Sequence, residues 1–283
     1  MDFISIIKRN KILFFIAIQI KKVQYFFLFR ILFNIKRFIR VLDLQPSSPY
    51  EKMKELKNVH EGERCFIIAT GPSLSIQDLE KLNNEKTFSM NSICLLEEDT
   101  NWRPTYYGIQ DMGVYNSLKD QITQFCKDVQ GVLIGDNLAK KIDFSKDNYV
   151  FPINFLNHML EHRKYHSKFS DNAYSVVYSG YSITYSLLQI AVYMGFKQIY
   201  LIGADCNYPI NMKHHFKEYS YVDPSFSEAH DRMIAAYKVA KKYTETHNVK
   251  IYNATRGGML EVFERVNLDN VLSEGKTVKA ASE

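Results

Sequence analysis

The stretch CFIIATGPSLSIQDLEKL, residues 65–82, gives the clearest indication of the fold class. A mostly apolar run leads into Gly71-Pro72-Ser73, and a helical pattern follows at once, which is typical of a strand-to-helix unit in an α/β sheet. The start of a helix leaves N–H groups and a partial positive charge that suit an anion. Ser75 and Asp78 have capping-box spacing, however. The turn therefore predicts either a phosphate site or only a tight, capped connection.

Outward from this stretch, short apolar runs alternate with amphipathic stretches. This alternation predicts one Rossmann-like domain, residues 59–272, built on a mostly parallel sheet. Strands are expected at residues 65–70, 87–90, 105–110, 131–134, 149–151, 199–202 and 250–252. Helices are expected at residues 76–82, 114–125, 182–194 and 228–247. The polar tail, residues 273–283, is expected to be loose.

The bulk composition narrows the class of protein. A chain of 283 residues that is 46% hydrophobic can bury the core of one large domain with something appended. The cysteines are scattered without a CxxC pair, so neither a zinc site nor a disulfide framework is expected, and a reducing cytoplasm is the default. These cysteines are Cys65, Cys94, Cys126 and Cys206.

The positive charge is concentrated at the N-terminus. Residues 1–42 hold nine Lys or Arg against Asp2, which leaves 27 basic and 30 acidic residues elsewhere. A nucleic-acid groove would carry its positive charge on the folded body, so nucleic acid is not an expected partner. The longest uncharged run, residues 12–20, is too short for a spanning helix of about twenty residues.

Residues 1–43 therefore predict an amphipathic helix that lies on an anionic membrane surface, on the inner face of the cell membrane. A helix packed on the protein's own core or on a partner is the alternative. The stretch LQPSSPYEK within residues 44–58 has the Pro and Ser content of a linker.

Polar residues follow three successive predicted strands. Thr70 and the turn after it end the first strand, Asn91 ends the second and Asp111 the third. Ligands of parallel sheets sit beyond the carboxyl ends of the strands, so these residues are expected to line one crevice. Each could instead be only a turn former. Arg256, beside two glycines, could reach an anionic donor or acceptor, or belong to a simple turn.

The block YSGYSITYSLLQIAVYMGFKQIYLIGADCNY, residues 178–208, carries the most specific pattern. Ser179 and Gly180 open a helix, and a buried strand ends at Gly203 and Asp205. The block resembles the bacterial sialyltransferases of glycosyltransferase family 42, and GPSL at 71–74 and Asn91 match in the same order. The broader relatives are the MptE-like proteins, which include a 6-hydroxymethylpterin diphosphokinase. The resemblance covers residues 62–208 and, loosely, 228–255.

The resemblance implies a variant GT-A fold with one nucleotide-binding domain and a lid at about residues 207–227. It also implies a CMP-sugar donor, no required cofactor or metal, and a lid histidine as general base. Thr70 and Asp111 stand where the sialyltransferase pattern has Asn, and a carboxylate beside a phosphate is awkward without a cation. The candidate donor-binding residues are Thr70, Gly71, Pro72, Ser73, Asn91, Asp111, Ser179, Gly180, Gly203, Asp205, Tyr208 and Arg256.

Two adjacent histidines lie in the predicted lid. His214 and His215 follow the strand that ends at Asp205, and an imidazole can take a proton from a sugar hydroxyl near neutral pH. Both could also be solvent-exposed bystanders. His230, at the start of the next predicted helix, is the reserve candidate. Metal ligation by the adjacent pair is not expected, because no further ligand cluster accompanies it.

Together these features predict a membrane-associated glycosyltransferase. It would transfer a sugar from a nucleotide-activated donor, with CMP-sialic acid or another CMP-sugar favoured, to a cell-surface glycan acceptor. One alternative is a pyrophosphokinase of the MptE-like type, with Asp111 and Asp205 holding Mg²⁺. The other is a non-catalytic nucleotide-binding subunit of a glycan assembly complex. A homo-oligomer remains open.

Overall fold

The computed structural model describes residues 10–23, 28–44, 48–142, 148–155, 165–207, 215–217 and 228–280. Of Lys11, Lys21, Lys22 and residues 275–280 it describes the backbone alone. Most of the predicted lid therefore lies outside the described residues, and so do Tyr208 and His214.

The centre of the protein is a parallel β-sheet. The strands in chain order are β1 (Arg64–Ile68), β2 (Thr87–Met90), β3 (Tyr106–Ile109), β4 (Gly131–Gly135), β5 (Asn148–Phe151), β6 (Ile153–Asn154), β7 (Val177–Tyr178), β8 (Gln198–Ile202), β9 (Lys250–Asn253) and β10 (Glu264–Arg265). Eight of them form one sheet in the order β10-β9-β8-β1-β2-β3-β4-β5, and all its pairings are parallel. The fold is thus α/β and Rossmann-like, as predicted, and all seven predicted strands are present.

The helices of the described residues are α1 (Lys11–Val23), α2 (Arg30–Val41), α3 (Ile76–Glu80), α4 (Met112–Phe125), α5 (Ile183–Tyr193), α6 (Ala229–Thr244) and α7 (Leu268–Ala280). Short 3₁₀ helices span Glu51–Leu56, Asn91–Leu96 and Cys126–Asp128. Helix α7 occupies most of the segment predicted to be a loose tail, because Leu268 and Val271 are buried in the core and dock its first turn.

Successive strand residues supply two separate cores. Ile67 and Leu201 face one side, where they pack with α5 and α6 residues such as Leu187 and Ala236. The neighbouring strand residues, such as Phe66 and Ile202, face the other side. They pack with residues of α3, α4 and α7, namely Leu79, Ile122 and Val271. Both faces of a parallel sheet are covered in this way, which explains the nearly continuous apolar strands.

The chain changes direction across the sheet next to β1. Strands β2 to β5 extend to one side of β1, while β8 to β10 extend to the other. Ligands of open α/β sheets bind at such a switch point, in the crevice beyond the carboxyl ends of the strands. The loops after β1 and β8 meet there.

The segment predicted to be a linker is largely part of the folded body. Met53 and Leu56 lie on the Glu51–Leu56 helix and are buried in the same core as α5. The Pro and Ser residues that suggested a linker occupy only residues 46–49. The two apolar side chains, three positions apart, lie on one face of this turn and anchor it to the sheet.

In residues 10–23 and 28–44, the described part of the basic N-terminal segment, there are two helices, α1 and α2, where one was predicted. Over the part of the chain that the structure describes, no helix is both long and apolar enough to cross a membrane.

Candidate functional site

The loops after β1 and β8 are joined by Ser73 and Asp205. The Ser73 hydroxyl donates to Asp205 Oδ2 at 2.8 Å, and the Ser73 N–H points to the same oxygen at 3.3 Å. Asp205 is 8% exposed. A Cβ on Gly71 would overlap both Asp205 Oδ2 and the carbonyl oxygen of Gly203, so glycine is required for this approach. The sequence-predicted residues of these two loops therefore come together.

The backbone donors of the first turn already have partners. The Gly71 N–H donates to the Gly203 carbonyl at 2.9 Å, and the Leu74 N–H donates to the Gly71 carbonyl at 3.1 Å. The Ser73 N–H is directed at Asp205. What the turn presents is therefore a carboxylate, which accepts hydrogen bonds from hydroxyl groups. This arrangement suits a ribose better than it suits a phosphate.

The helix after the turn is capped by its own residues. Ser75 Oγ accepts the Asp78 N–H at 3.2 Å and donates to Asp78 Oδ2 at 2.8 Å. Arg256 forms an ion pair with Asp78 Oδ1 at 2.5 Å. The capping interpretation of this pair is thus confirmed, and Arg256 holds the loop after β9 beside the crevice.

Two glycines permit close backbone contacts around Asp205. Gly203 has a φ of +65°, and a Cβ there would lie 2.5 Å from the Ala69 carbonyl oxygen. A Cβ on Gly258, whose φ is +71°, would lie 2.7 Å from the Asp205 carbonyl oxygen. The Met259 N–H donates to that same oxygen at 2.7 Å. The backbone of Asp205 is therefore held closely against the loop after β9.

Asn91 and Gln110 lie at the carboxyl ends of β2 and β3. Within the described part of the chain, the buried Asn91 Oδ1 and Gln110 Oε1 have no hydrogen-bond partner. Gln110 is 7% exposed. A buried amide oxygen without a partner costs about 1–3 kcal/mol, so each such oxygen calls for an explanation. A ligand with N–H or O–H donors would provide one.

Gln110 was not predicted as a site residue. A Cβ on Gly108, two positions earlier, would contact Leu187 and Ile183 of α5. Because strand side chains alternate, Gln110 lies on the same face, towards the start of α5. Only a glutamine directly before Asp111 marked the position in the sequence, and its unpaired oxygen is visible only in three dimensions.

Ser179 and Gly180 form the loop that starts α5. The Ser179 N–H donates to Asn154 O at 3.3 Å, and the Ser182 hydroxyl caps the helix by accepting the Thr184 N–H at 3.1 Å. Gly180 has a φ of +49°, and a Cβ there would overlap the Tyr185 ring. The predicted opening of a helix after Ser179-Gly180 is confirmed. The Thr184 hydroxyl in its first turn donates to Met90 Sδ, at the end of β2, at 3.3 Å.

Asp111 is the N-cap residue of α4. Its Oδ1 accepts the N–H groups of Gly113 at 2.7 Å and Val114 at 3.1 Å, which caps α4. An Asp at this position stabilises the helix by about 1 kcal/mol. The carboxylate is thus engaged with its own helix.

Two histidines lie near the mouth of the crevice. His215 Nδ1 is 3.5 Å from Thr70 Oγ1, and the Phe216 N–H donates to the Thr70 carbonyl at 3.1 Å. His230 Nδ1 is 2.6 Å from the carbonyl oxygen of Cys206, directly after Asp205. Donation from Nδ1 to a carbonyl selects the tautomer whose Nε2 carries the lone pair. The imidazole of His230, the reserve candidate, therefore has the shorter and better defined contact of the two.

Neither a thiol nor a metal cluster stands out beside this crevice. Burial raises the pKa of Cys206 to about 12, so its thiol stays protonated. Across the described residues there is no group of three side chains suited to hold a metal ion. A separate groove at the amino ends of the strands is lined by the ion-paired Arg64 and Glu85, on the opposite edge of the sheet.

The fold and this crevice define the class: a Rossmann-like α/β protein with a polar crevice at the switch point of its sheet. A family model described as 6-hydroxymethylpterin diphosphokinase MptE-like matches residues 40–211. The chain belongs to this MptE-like family, and the predicted relationship is confirmed.

One solved structure supports the fold. The chain is similar to the MAf glycosyltransferase from Magnetospirillum magneticum AMB-1, with 15% identity and a TM-score of 0.50. The match covers 82% of this chain and 42% of that chain, so this protein spans less than half of its neighbour. At this identity the likeness shows the fold alone. A comparison with curated proteins found no match.

Proposed function

We propose that this protein is a glycosyltransferase that uses a nucleotide-activated sugar, with a CMP-sugar such as CMP-sialic acid favoured, to build a cell-surface glycan. The observation that carries the proposal is the Asp205 carboxylate held by Ser73 at the switch point. The solved neighbour is itself named a glycosyltransferase, which agrees with this class of activity. The CMP preference rests on the sialyltransferase-like motifs.

The proposed reaction is a direct displacement at the anomeric carbon. The acceptor hydroxyl oxygen forms the new bond to that carbon, and the bond from the carbon to the leaving phosphate breaks. His230 Nε2 takes the acceptor proton, with His215 as the alternative base. Asp205 binds the ribose hydroxyls, and the start of α5 supplies backbone dipoles to the nucleotide. No metal or cofactor is required in this scheme.

The protein is also proposed to act at the inner face of the cell membrane. Apolar side chains of α1 and α2 are exposed among the cations of the same helices, as on an interfacial helix. Ile12 is 71% exposed and Phe38 is 63% exposed. If these helices packed only against the protein's own core, such apolar side chains would not be exposed. The occupant proposed for this surface is anionic lipid.

A nucleotide screen tests the donor proposal. Thermal unfolding of the full chain is followed with CMP, UDP, GDP and ATP, because a ligand that binds the native state alone raises the unfolding temperature. Stabilisation by CMP, with hydrolysis of CMP-sialic acid that persists in EDTA, is expected. Failure of all four nucleotides to stabilise the protein would exclude a nucleotide-sugar transferase.

The family assignment favours a second candidate, Mg²⁺-dependent pyrophosphoryl transfer from ATP, since the matching family model is named for a diphosphokinase. Asp205 would then be the metal ligand, and Asp111 would have to leave its helix cap to join it. AMP release from ATP that EDTA abolishes would support this candidate. A protein that binds nucleotide without any turnover would instead be a nucleotide-binding subunit.

A further inference from the structure

Helix α2 is fixed to the folded body by its last turn. Arg40 is 6% exposed, although it belongs to the basic segment. Its Nε donates to the Tyr174 carbonyl at 2.8 Å, and its Nη2 donates to the Ser175 carbonyl at 2.5 Å. Its guanidinium lies 4.5 Å from the centre of the Tyr50 ring. Hydrogen bonds from a buried charge are costly to break, so the end of α2 is held in one orientation.

A second contact lies one turn earlier. Arg37 Nε donates to the Ser175 hydroxyl at 2.6 Å. Burial raises the pKa of Tyr178, and the charges of Arg37 and Arg30 partly offset that rise. Tyr178 ends β7 and leads directly into Ser179 and Gly180. Helix α2 therefore runs along the edge of the candidate site.

The same helix is tied to the carboxyl edge of the main sheet. The Tyr50 hydroxyl, next to Arg40, donates to Asp136 Oδ2 at 2.9 Å. Asp136 follows the last residue of β4, and its Oδ1 accepts the Ile153 N–H at 3.4 Å. Arg40, Tyr50 and Asp136 thus connect α2 to the edge of the sheet where the crevice opens.

The outward face of α2 is apolar and cationic. Ile31, Ile35 and Phe38 are 51%, 49% and 63% exposed. The sequence from residue 10 to residue 42 contains no Asp or Glu, so no charge on this segment repels anionic headgroups. Cations near such a surface are attracted to its negative potential. A surface of this kind fits an anionic bilayer.

From these contacts we propose that α2 is a rigid strap that turns the carboxyl edge of the sheet towards an anionic bilayer. Vesicle binding by a flexible tail would leave the body free to rotate, whereas this strap fixes its orientation. A consequence that rests on the proposed function is the substrate class: the acceptor is carried on a lipid and reaches the crevice from the membrane surface.

Energy transfer to the bilayer tests the orientation on the full chain. The four native cysteines are buried, so a fluorophore can be attached to an added exposed cysteine. Lys140→Cys marks the carboxyl edge after β4, and Lys250→Cys, its matched control, marks the amino end of β9. On vesicles of phosphatidylglycerol with an acceptor dye on the headgroup, transfer from position 140 is expected to exceed that from position 250.

Variants of the strap decide its role. Arg37→Ala with Arg40→Ala should remove the difference between the two positions while vesicle binding persists. Lys36→Ala, which removes an exposed cation from the same helix, should keep the difference. If the Arg40 substitution prevents folding, judged by circular dichroism, Arg37→Ala alone carries the test. Equal transfer from both positions, or an unchanged difference in the strap variants, overturns the proposal. A full-length protein that sediments as a dimer and does not bind vesicles also overturns the proposal.

The substrate class is tested separately, with CMP-N-acetylneuraminic acid as donor. Label is expected in product formed from the organic extract of cell membranes and not from their water-soluble extract. Transfer to the water-soluble extract alone overturns the lipid-borne acceptor. If label is transferred to neither extract while the energy-transfer experiment confirms the orientation, the proposed function is contradicted. The proposed orientation by α2 is then unaffected.

Discussion

Asp205 and Ser73 are joined by a hydrogen bond of 2.8 Å that crosses the switch point of the sheet. The bond links the loop after β8 to the loop after β1, two segments 132 residues apart. It also fills the place where the turn after β1 would otherwise offer N–H groups to an anion. The chemistry of the crevice therefore begins with a carboxylate.

Removing either partner of this bond should weaken nucleotide binding. Asp205→Asn removes the charge that accepts ribose hydroxyls, and Ser73→Ala frees the carboxylate to move. A hydrogen bond to a charged group contributes about 1.5–3 kcal/mol, so CMP affinity measured by calorimetry should fall about tenfold or more. Ser75→Ala, two positions along the same turn, should cost about 1 kcal/mol of stability and leave affinity unchanged. Equal affinity in all three variants would place the ribose elsewhere.

Substitution of His230 should lower the catalytic rate more than substitution of His215. His230→Ala is expected to lower kcat about a hundredfold or more and to spare donor affinity, since a general base acts in the transition state. The acidic limb of the pH–rate profile should disappear with it. His215→Ala should cost less, because its contact with the Thr70 hydroxyl is long at 3.5 Å. The reverse ranking would return the role to the predicted lid, and His247→Ala, on an exposed position, serves as control.

Gln110 should determine which nucleobase the site accepts. Its unpaired Oε1 suits an exocyclic amino group, so Gln110→Leu should weaken CMP and AMP binding about tenfold and affect UMP less. Gln110→Glu keeps an acceptor at this position and should retain the preference for amino-bearing bases. Gln124→Leu, on the exposed side of α4, is the matched control. Identical losses for CMP and UMP in the Leu variant would assign Gln110 to the sugar or phosphate instead.

Stability should depend on pH through Asp136. Burial raises the pKa of its carboxyl group, although the Tyr50 hydroxyl, the Ile153 N–H and Arg40 oppose the shift. The native state therefore binds the proton more tightly than the unfolded state, and this contribution to stability is lost as pH rises through the raised pKa. On acidification from pH 7 to pH 4, the wild type should gain stability relative to Asp136→Asn in urea titrations. A difference that is constant with pH would contradict the raised pKa.

The loop after β1 shows how far sequence reasoning reached. The strand, the turn and the helix after it were all predicted, because apolar periodicity and capping residues act locally. The hydrogen-bond partners of the turn's N–H groups were not predicted, because Gly203 and Asp205 lie about 130 residues away in the chain. The linker prediction was wrong for a similar reason. It relied on the Pro and Ser content, whereas Met53 and Leu56 are buried by contacts with residues distant in the chain.

The α/β class, the order of the strands along the chain, the family, and the basic, apolar character of the N-terminus were all predictable from the amino-acid sequence. Each of these depends on local periodicity, on short motifs or on the count of charges. Four features are visible only in three dimensions. Asp205 occupies the turn, and His230 contacts the Cys206 carbonyl. Gln110 keeps an unpaired oxygen, and Arg40 fixes α2 to the body. These outcomes depend on pairings between segments far apart in the chain, and such pairings form only when burial makes an unpaired polar group costly.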